Sequence, residues 1–347
     1  MSAVSPPPDR HRPTVKEVAA TAGVSVASVS RVLSGSPKFV SDETRTRVLD
    51  AAAHLGYSTN VAAQALVTGR AGNIAVLVPD LGNQHFTAMV HAVVRDAGAA
   101  GFHTLIGDSS DRVEEELGLA AALLQRADGL IMCSPRCGPP DLGRLLGARK
   151  PLVTVNRRFV DLPAVASVET DVLGATREHV EALLASGHQR FAFLGARLAS
   201  EQNRHRWTLI EQLVRSHGGE VWELPLDDAA SGLAEALVTL LGRGCTAVLA
   251  ANDLTAAEVV AVLRDLSVKV PDDVSVTGFD DTRLAHWLTP RLTTARMHEG
   301  RLGAAAWEAL VRLLEDPDDV THVTFDTSAI FRDSTGPAPH PAAHRAS

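Results

Sequence analysis

Apolar positions in the first seventy residues recur three or four apart, the period of a helix with one buried face. Thr14-Val-Lys-Glu17 has the form of a capping box and opens a helix through Val15, Val18 and Ala19 to about Ala22, stopped by Gly23. Ser25 caps a second helix, Val26 to Leu33, after a turn too short for the two to lie antiparallel. Ser41, followed by Asp42 and Glu43 at the positive end of the helix dipole, starts a third. Val48, Leu49, Ala52 and Leu55 form its apolar face and Gly56 ends it. The pattern predicts three short helices on one small core, the first two at helix-turn-helix spacing.

Past Gly72 the pattern changes. Short continuous apolar runs alternate with amphipathic stretches: Ile74 to Val78, Leu105 to Ile106, Leu130 to Cys133, Leu152 to Val155, Phe191 to Leu194, Ala247 to Ala250 and Val274 to Phe279. Unbroken runs of this kind are strands covered on both faces, as in parallel sheets with crossover helices. Roughly 260 residues of this alternation are more comfortably two such sheets than one.

Composition agrees with several domains, since 347 residues exceed what one core usually organises, and 45% hydrophobic with 21% charged residues is globular. The net charge of −8 is divided unevenly, +3 over residues 1–70 and −11 over the rest. A basic head on an acidic body suits a nucleic-acid module joined to a domain with another partner. Cys133, Cys137 and Cys245 are too few and too scattered for a disulfide framework or a four-ligand zinc site, so a reducing compartment and no metal are expected. No export signal and no run of roughly 18 apolar residues is present, which predicts a cytoplasmic location and no membrane partner.

On the second helix Val29, Val32 and Leu33 supply the inward face, which leaves Val26, Ala27, Ser28, Ser30 and Arg31 outward. That surface is small, hydroxylated and cationic. It suits the major groove, where arginine bonds guanine bidentately, small apolar groups touch a thymine methyl and hydroxyls meet phosphates. The same spacing also fits a generic bundle whose serines only cap and whose arginine is solvated.

The run Thr14-Val-Lys-Glu-Val-Ala-Ala-Thr-Ala-Gly-Val-Ser-Val-Ala-Ser-Val-Ser-Arg-Val-Leu33 decides more. With Val40-Ser41, Thr44-Arg45, Val48-Leu49 and Leu55-Gly56-Tyr57 it strongly resembles the lactose/galactose repressor family of bacterial transcription regulators. The resemblance continues through Asn60-Val-Ala-Ala-Gln-Ala-Leu66, similar to that family's hinge helix, and to about residue 335. It implies a small all-α helix-turn-helix DNA-binding domain (13–58), a hinge helix and linker (59–70) and a two-subdomain α/β periplasmic-binding-protein-like effector and dimerisation domain (71–335). The first subdomain would hold about 72–170 plus the last helix, the second about 171–297. The tail from Ser334, rich in Pro, Ala and His, reads as disordered, and 336–347 is expected to lie beyond the effector domain.

For the head, the resemblance implies base contacts by Val26, Ala27 and Arg31 and backbone contacts by Ser25, Ser28, Ser30 and Ser34, with Thr14, Val15, Tyr57, Asn60 and Ala63 also at the DNA. Leu66 resembles the family's wedge between base steps in the minor groove. Its hinge segment is too short to be a stable isolated helix, so folding and DNA binding are expected to be one event. Thr59 stands where proline is common, and Gln64 and Val67 where arginines are common, which predicts a weaker salt dependence through this segment.

Open α/β sheets bind ligands beyond the carboxyl ends of their strands. Asp80, Asn83 and Phe86, Asp108 and Ser109, Asn156 and Arg157, Asn252 and Asp280 all follow apolar runs. Amides and carboxylates at a cleft rim suit a hydroxyl-rich effector, a sugar or nucleoside-like molecule, although each could equally cap the helix that follows. The family blocks matched by Val78-Pro79-Asp80-Leu-Gly-Asn83, Ala251-Asn252-Asp253 and Val270 to Asp281 imply effector contacts at Asn252 and Asp280. Two departures stand out. Gln84-His85 replace a usual Pro-aromatic pair, and Asn203 stands where the family's ligand-binding arginine is common, with Arg206 in the place of a glycine.

An enzyme reading rests on Gly107-Asp108-Ser109 and Asp319-Val-Thr-His322, which superficially match Gly-Asp-Ser hydrolases, but no oxyanion-hole block lies between them. A transport-type binding protein would leave residues 14 to 66 unexplained. The sequence therefore predicts a ligand-responsive regulator, more a repressor than an activator, with no catalytic residues and no cofactor. It would bind a near-palindromic double-stranded operator as a homodimer.

Overall fold

The computed structural model describes residues 13–33, 40–57, 71–147, 150–195, 200–225 and 232–339. The chain divides into two compact units, Met1–Ala71 and Gly72–Ser347. In the first, helices α1 (Val15–Ala22), α2 (Val26–Leu33) and α3 (Asp42–Leu55) lie where the capping residues predict. Thr14 Oγ1 accepts from Glu17 N at 3.3 Å while the Glu17 carboxylate accepts from Thr14 N at 2.6 Å, closing the capping box. Gly23 and Gly56 end α1 and α3 in the left-handed conformation, φ 64° and 61°, which glycine adopts without strain. Val18, Val29 and Val48, one from each helix, are completely buried and form the centre of the core.

The second unit holds two parallel sheets. Its elements run β1 (Asn73–Val78), α4 (Gln84–Ala99), β2 (His103–Asp108), α5 (Val113–Leu124), β3 (Leu130–Cys133), α6 (Pro139–Leu146), β4 (Leu152–Val155) and β5 (Ala166–Asp171). Then come α7 (Val172–Ala185), β6 (Arg190–Gly195), α8 (Glu201–Ser216), β7 (Glu220–Pro225), α9 (Leu233–Gly242), β8 (Ala247–Ala250), α10 (Asp253–Asp265) and β9 (Ser275–Thr277). The last are α11 (Arg283–Trp287), β10 (Thr294–Arg296), α12 (Glu299–Glu315), β11 (His322–Asp326) and β12 (Ser328–Ile330). The first sheet has the order β11-β5-β4-β3-β1-β2 and the second β7-β6-β8-β9. A small antiparallel pair, β10 with β12, lies along the crossings between them.

Burial explains the unbroken apolar runs. Alternate residues of β1 point to opposite faces: Ile74, Val76 and Val78 meet Met89 and Val93 of α4 and Leu302, Ala306 and Leu310 of α12, whereas Ala75 and Leu77 meet Ala120 and Leu124 of α5. In the second sheet Phe191 and Phe193 face Ile210 and Val214 of α8, and Ala192 and Leu194 face the opposite core with Leu237 and Val259. Helix α12 approaches α4 so closely that a Cβ on Gly303 would lie 2.5 Å from Met89 O.

The chain crosses between the subdomains three times, after β5, after β10 and after β11, so the first subdomain gains α12 and β11 from the far end of the sequence. This agrees with the expected return of the last helix. The tail differs from expectation at its start. Ser334 is fully buried and donates to Val276 O at 2.6 Å, Gly336 N donates to Ser275 Oγ at 3.1 Å, and Ala338 N donates to Ser186 O at 2.9 Å. Small residues that look unpatterned in sequence here satisfy an open edge of the second subdomain. Residues 340–347 lie outside the described residues.

Candidate functional site

Two sites emerge, one in each unit. On α2, Val29 and Val32 are buried while Val26, Ala27, Ser30 and Arg31 are exposed and Ser28 is half-buried, the division that the helical period predicts. Ser25 Oγ accepts from Ser28 N at 3.0 Å and caps the helix. Thr14 is exposed at the start of α1, Val15 is half-buried beside it, and Tyr57 packs against the core after α3. Ser34, Asn60, Ala63 and Leu66 lie outside the described residues.

The second site is a cleft of about 340 Å³ between the two sheets, walled by Asp80, Asn83, His85 and Phe86 on one side and by Asn203, Arg206, Asn252, Phe279 and Asp280 on the other. Six of the ten expected effector residues therefore meet there: Asp80, Asn83, Phe86, Asn203, Asn252 and Asp280. The capping alternative also holds for several. Asn83 Oδ1 accepts from His85 N at 2.9 Å and Asn252 Oδ1 from Thr255 N at 2.8 Å, which leaves each amide its Nδ2 donors.

Asp108 and Ser109 do not line this cleft. Asp108 accepts from Leu81 N and Ser110 N at 2.9 and 2.7 Å, and Ser109 is buried with its hydroxyl 3.5 Å from Val78 O. Both residues are thus engaged in tying the end of β2 to the end of β1 and the loop that follows it. Asn156 lies behind the wall, donating from Nδ2 to His85 Nε2 at 3.3 Å and accepting from Thr170 Oγ1 at 3.2 Å. Arg157 faces a neighbouring depression, where its guanidinium donates to Pro135 O and Cys137 O and pairs with Glu201 at 2.7 Å. That ion pair joins the end of β4 in one subdomain to the start of α8 in the other.

The interior of the wall is a buried ionic cluster of which the sequence pattern offers Asp280 as an effector contact and gives no role to His85, Asp253 or Glu299. His85 Nδ1 lies 3.5 Å from Asp280 Oδ1 and 3.3 Å from Glu299 Oε1. Burial opposes a charge on His85, but Asp280, Glu299 and Asp253 outweigh it and raise its pKa. Burial pushes Asp280 up to about 8, with Asp253 and Glu299 adding to the shift and His85 and Arg206 opposing it. Asp253 is raised to about 6 by burial, although Thr294 and Thr282 donate to its carboxylate.

Arg206, which the sequence shows in the place of a glycine, is turned into the wall. It is buried, donates to Ala251 O at 2.6 Å, Ala250 O at 3.2 Å and Thr176 Oγ1 at 3.3 Å, and lies 3.9 Å over the Phe279 ring. Burial lowers its pKa to about 9, offset in part by Asp280 and Asp253. The neighbouring Asp281 serves the scaffold instead, accepting from Arg296 at 2.8 Å and from Arg332 across the crossing segments.

The hydrolase geometry does not form. Ser109 follows β2 and His322 opens β11, the two opposite edges of the six-stranded sheet, and His322 pairs with Ser167 at 3.0 Å. Among the described residues no His, Cys, Asp and Glu group is arranged to hold a metal, and no helix is long and apolar enough to cross a membrane.

Comparison with known proteins bears on both sites. Residues 14–60 match the model described as bacterial regulatory proteins, lacI family, and residues 180–335 a periplasmic binding protein-like domain. The HTH-type transcriptional regulator GalS of Salmonella typhimurium is 34% identical over 314 residues, 89% of this chain and 92% of that protein. The chain belongs to the lacI family of bacterial regulatory proteins.

Another relative of this lacI-family protein, the regulator GalR of Escherichia coli, is 31% identical over 346 residues, covering 96% of this chain and 98% of its own length. Among solved structures, the lac repressor dimer bound to operator and the anti-inducer ONPF superposes with TM-score 0.79 at 27% identity, over 94% of this chain and all of that one. A transcriptional regulator CelR–cellobiose complex gives 0.65 at 27% identity, over 93% of this chain and all of that one. The lacI-family protein is thus a ligand-responsive DNA-binding transcription regulator, a helical reader joined to a periplasmic-binding-like body.

Proposed function

We propose that this regulator is a homodimeric repressor that acts in the cytoplasm and reads a near-palindromic operator through one copy of α2 in each half-site, with a small hydroxyl-rich effector in the cleft setting its affinity for DNA. The observation that carries the reading is the exposure of Val26, Ala27, Ser30 and Arg31 on a short helix whose opposite face is fully anchored. A rigid helix with a small, cationic outer face fits the roughly 12 Å major groove. Residues 13–58 would form the reader and 59–70 the hinge, in which Leu66 acts as the minor-groove wedge on the strength of the family resemblance. Two copies are needed because one helix reads too few base pairs for useful specificity. The operator-bound dimer of the lac repressor and the cellobiose complex of CelR support the same arrangement of partners.

The cleft would bind by hydrogen bonding rather than catalysis, with Asn83, Asn203, Asn252 and Asp280 as the polar contacts and Phe86 and Phe279 as apolar walls for a sugar or nucleoside-like ring. The test is selection from randomised duplex DNA at moderate salt. The expected outcome is a two-fold symmetric consensus whose affinity falls roughly tenfold to a hundredfold in Arg31→Ala, with relaxed preference at the contacted base pair. Absence of any enriched duplex overturns the reading.

A further inference from the structure

Effector binding in the cleft, the reading just given, leaves open the charge of the effector, and the cleft is short of positive charge. Its described lining holds two arginines and one histidine whose pKa is raised, His85, and all three are committed, His85 to Glu299 at 3.3 Å and Asp280 at 3.5 Å. Arg136 donates from Nε to Asp111 at 2.7 Å and from a terminal nitrogen to Ser134 O at 3.0 Å. Arg206 is turned into the wall, onto the Ala250 and Ala251 carbonyls and the Phe279 ring. Asp80, Glu258 and Asp280 line the same space and make no ion pair with Arg or Lys among the described residues.

Of the three, Asp280 is the most deeply buried. It is 6% exposed, forms part of the cleft wall, and accepts no hydrogen bond from any described residue; its nearest donor, His85 Nδ1 at 3.5 Å, lies slightly closer to Glu299. The groups facing it are His85, Glu299, Asp253 and Arg206, three carboxyls in all against one arginine and one imidazole. A buried site so arranged keeps a proton that water would have taken, and burial with the two neighbouring carboxyls indeed raises Asp280 to about 8. A fixed positive charge arriving beside it supplies what that proton supplies.

We infer that the effector is an amine-bearing polyol of the amino-hexose class, whose ammonium group sits against Asp280 while its hydroxyls bond the cleft amides, and that the cleft rejects carboxylated and phosphorylated sugars. Binding transfers the proton held by Asp280 to solvent and leaves an ammonium–carboxylate pair, so charge and protons balance. A phosphate or carboxylate would instead enter beside three carboxyl groups, with both guanidinium groups already engaged and the His85 imidazole turned onto Glu299 and Asp280.

The experiment is calorimetric titration of the full chain with glucose and galactose, their 2-amino-2-deoxy forms, their uronates and their 6-phosphates, at neutral pH in two buffers of different ionisation enthalpy. Operator binding by the same preparation is measured alongside. The expected result is an amino-hexose at least about tenfold tighter than its parent, proton release seen as buffer-dependent heat with the amine alone, and anionic forms weaker than the parent. In Asp280→Asn the preference for the amine falls below about threefold and the proton release disappears. A parent hexose or an anion that binds as tightly as the amine overturns the charge assignment while the effector cleft itself stands. An amine preference that survives in Asp280→Asn overturns the role given to that carboxyl. If no sugar of any charge binds a protein that still holds its operator, the sugar-effector reading fails and this inference with it.

Discussion

Arg206 is buried in the cleft wall, and its cost of burial is met by four acceptors and an aromatic face. A buried guanidinium stripped of partners is expensive, and so are carbonyls stripped of a donor. Arg206→Leu is therefore expected to destabilise the body by about 2–4 kcal/mol in urea unfolding, through the Ala250 and Ala251 carbonyls left without a partner. An unchanged midpoint would mean that water replaces the arginine without loss. Strand-end position was enough to find Asp80, Asn83, Asn252 and Asp280, because the carboxyl ends of parallel strands converge on one cleft. It could not separate Asp108, which ties the two neighbouring loops together, from Asp80, which holds its own turn and also lines the cleft. Nor could it find His85 and Glu299, which are more than two hundred residues apart in sequence and meet only through the packing of α12 on α4. The signal that could have raised His85 was its place in a block otherwise close to the family pattern.

At the level of elements, local chemistry was most legible where the caps are strongest. Thr14, Ser25, Ser41, Gly23 and Gly56 mark the helix ends in the first unit, and all five do so in the structure. Thr14→Ala removes a cap and is expected to cost about 1 kcal/mol, and Val29→Ala, at the centre of a small core, about 2 kcal/mol. A unit this small has little stability in reserve, so Val29→Ala should broaden or abolish its separate thermal transition and weaken operator binding with it; a head as stable as the parent's would show that the core repacks. The central strands were legible as apolar runs because both faces are covered. The strands that pattern missed are β5, β7, β10, β11 and β12. β7 and β11 are sheet edges with mixed residues such as Glu-Val-Trp-Glu and His-Val-Thr-Phe-Asp, and β10 and β12 are three-residue pieces of the crossings. The edge strands β7 and β11 bury less, so selection for apolar residues is weaker there, whereas β10 is buried at Thr294 and Ala295 but too short to form a run.

For the whole molecule, two sheets joined by three crossings place buried titratable groups from distant segments beside one another. His179 on α7 lies against Thr294 O at 2.9 Å, next to a crossing, and burial lowers its pKa to about 4. An unfolded histidine titrates near 6.5. Between these values the unfolded chain binds the proton and the native chain does not, so this contribution is fully present above about 6.5 and is lost as the pH falls through 4. Its size is about 3 kcal/mol. Asp253 and Asp280 act in the opposite sense: their raised values favour the native state at low pH, and that contribution is lost as the pH rises through about 6 and 8. His179→Gln, which retains a donor toward Thr294, is expected to flatten the fall in stability between pH about 6.5 and 4 in denaturant titrations, and an unaltered slope would assign it to other groups. The two-sheet architecture and the return of the last helix were legible from the alternation of runs and from the family resemblance. The anchoring of Ser334 and Gly336 was not, because small polar residues carry no periodic signal.

The crossings also set an order of events during synthesis. The first sheet lacks its edge strand β11 and the covering helix α12 until residues near 326 have been made, although β1 to β5 are complete by Asp171. At about 5–20 residues per second, the nascent chain exposes the α12-facing side of Ile74, Val76, Ile131 and Val153 for roughly ten to thirty seconds before the ribosome delivers its cover. Slower translation of the intervening stretch should therefore increase aggregation or chaperone dependence of this body, whereas the amino-terminal helices, whose contacts are all local, are finished long before.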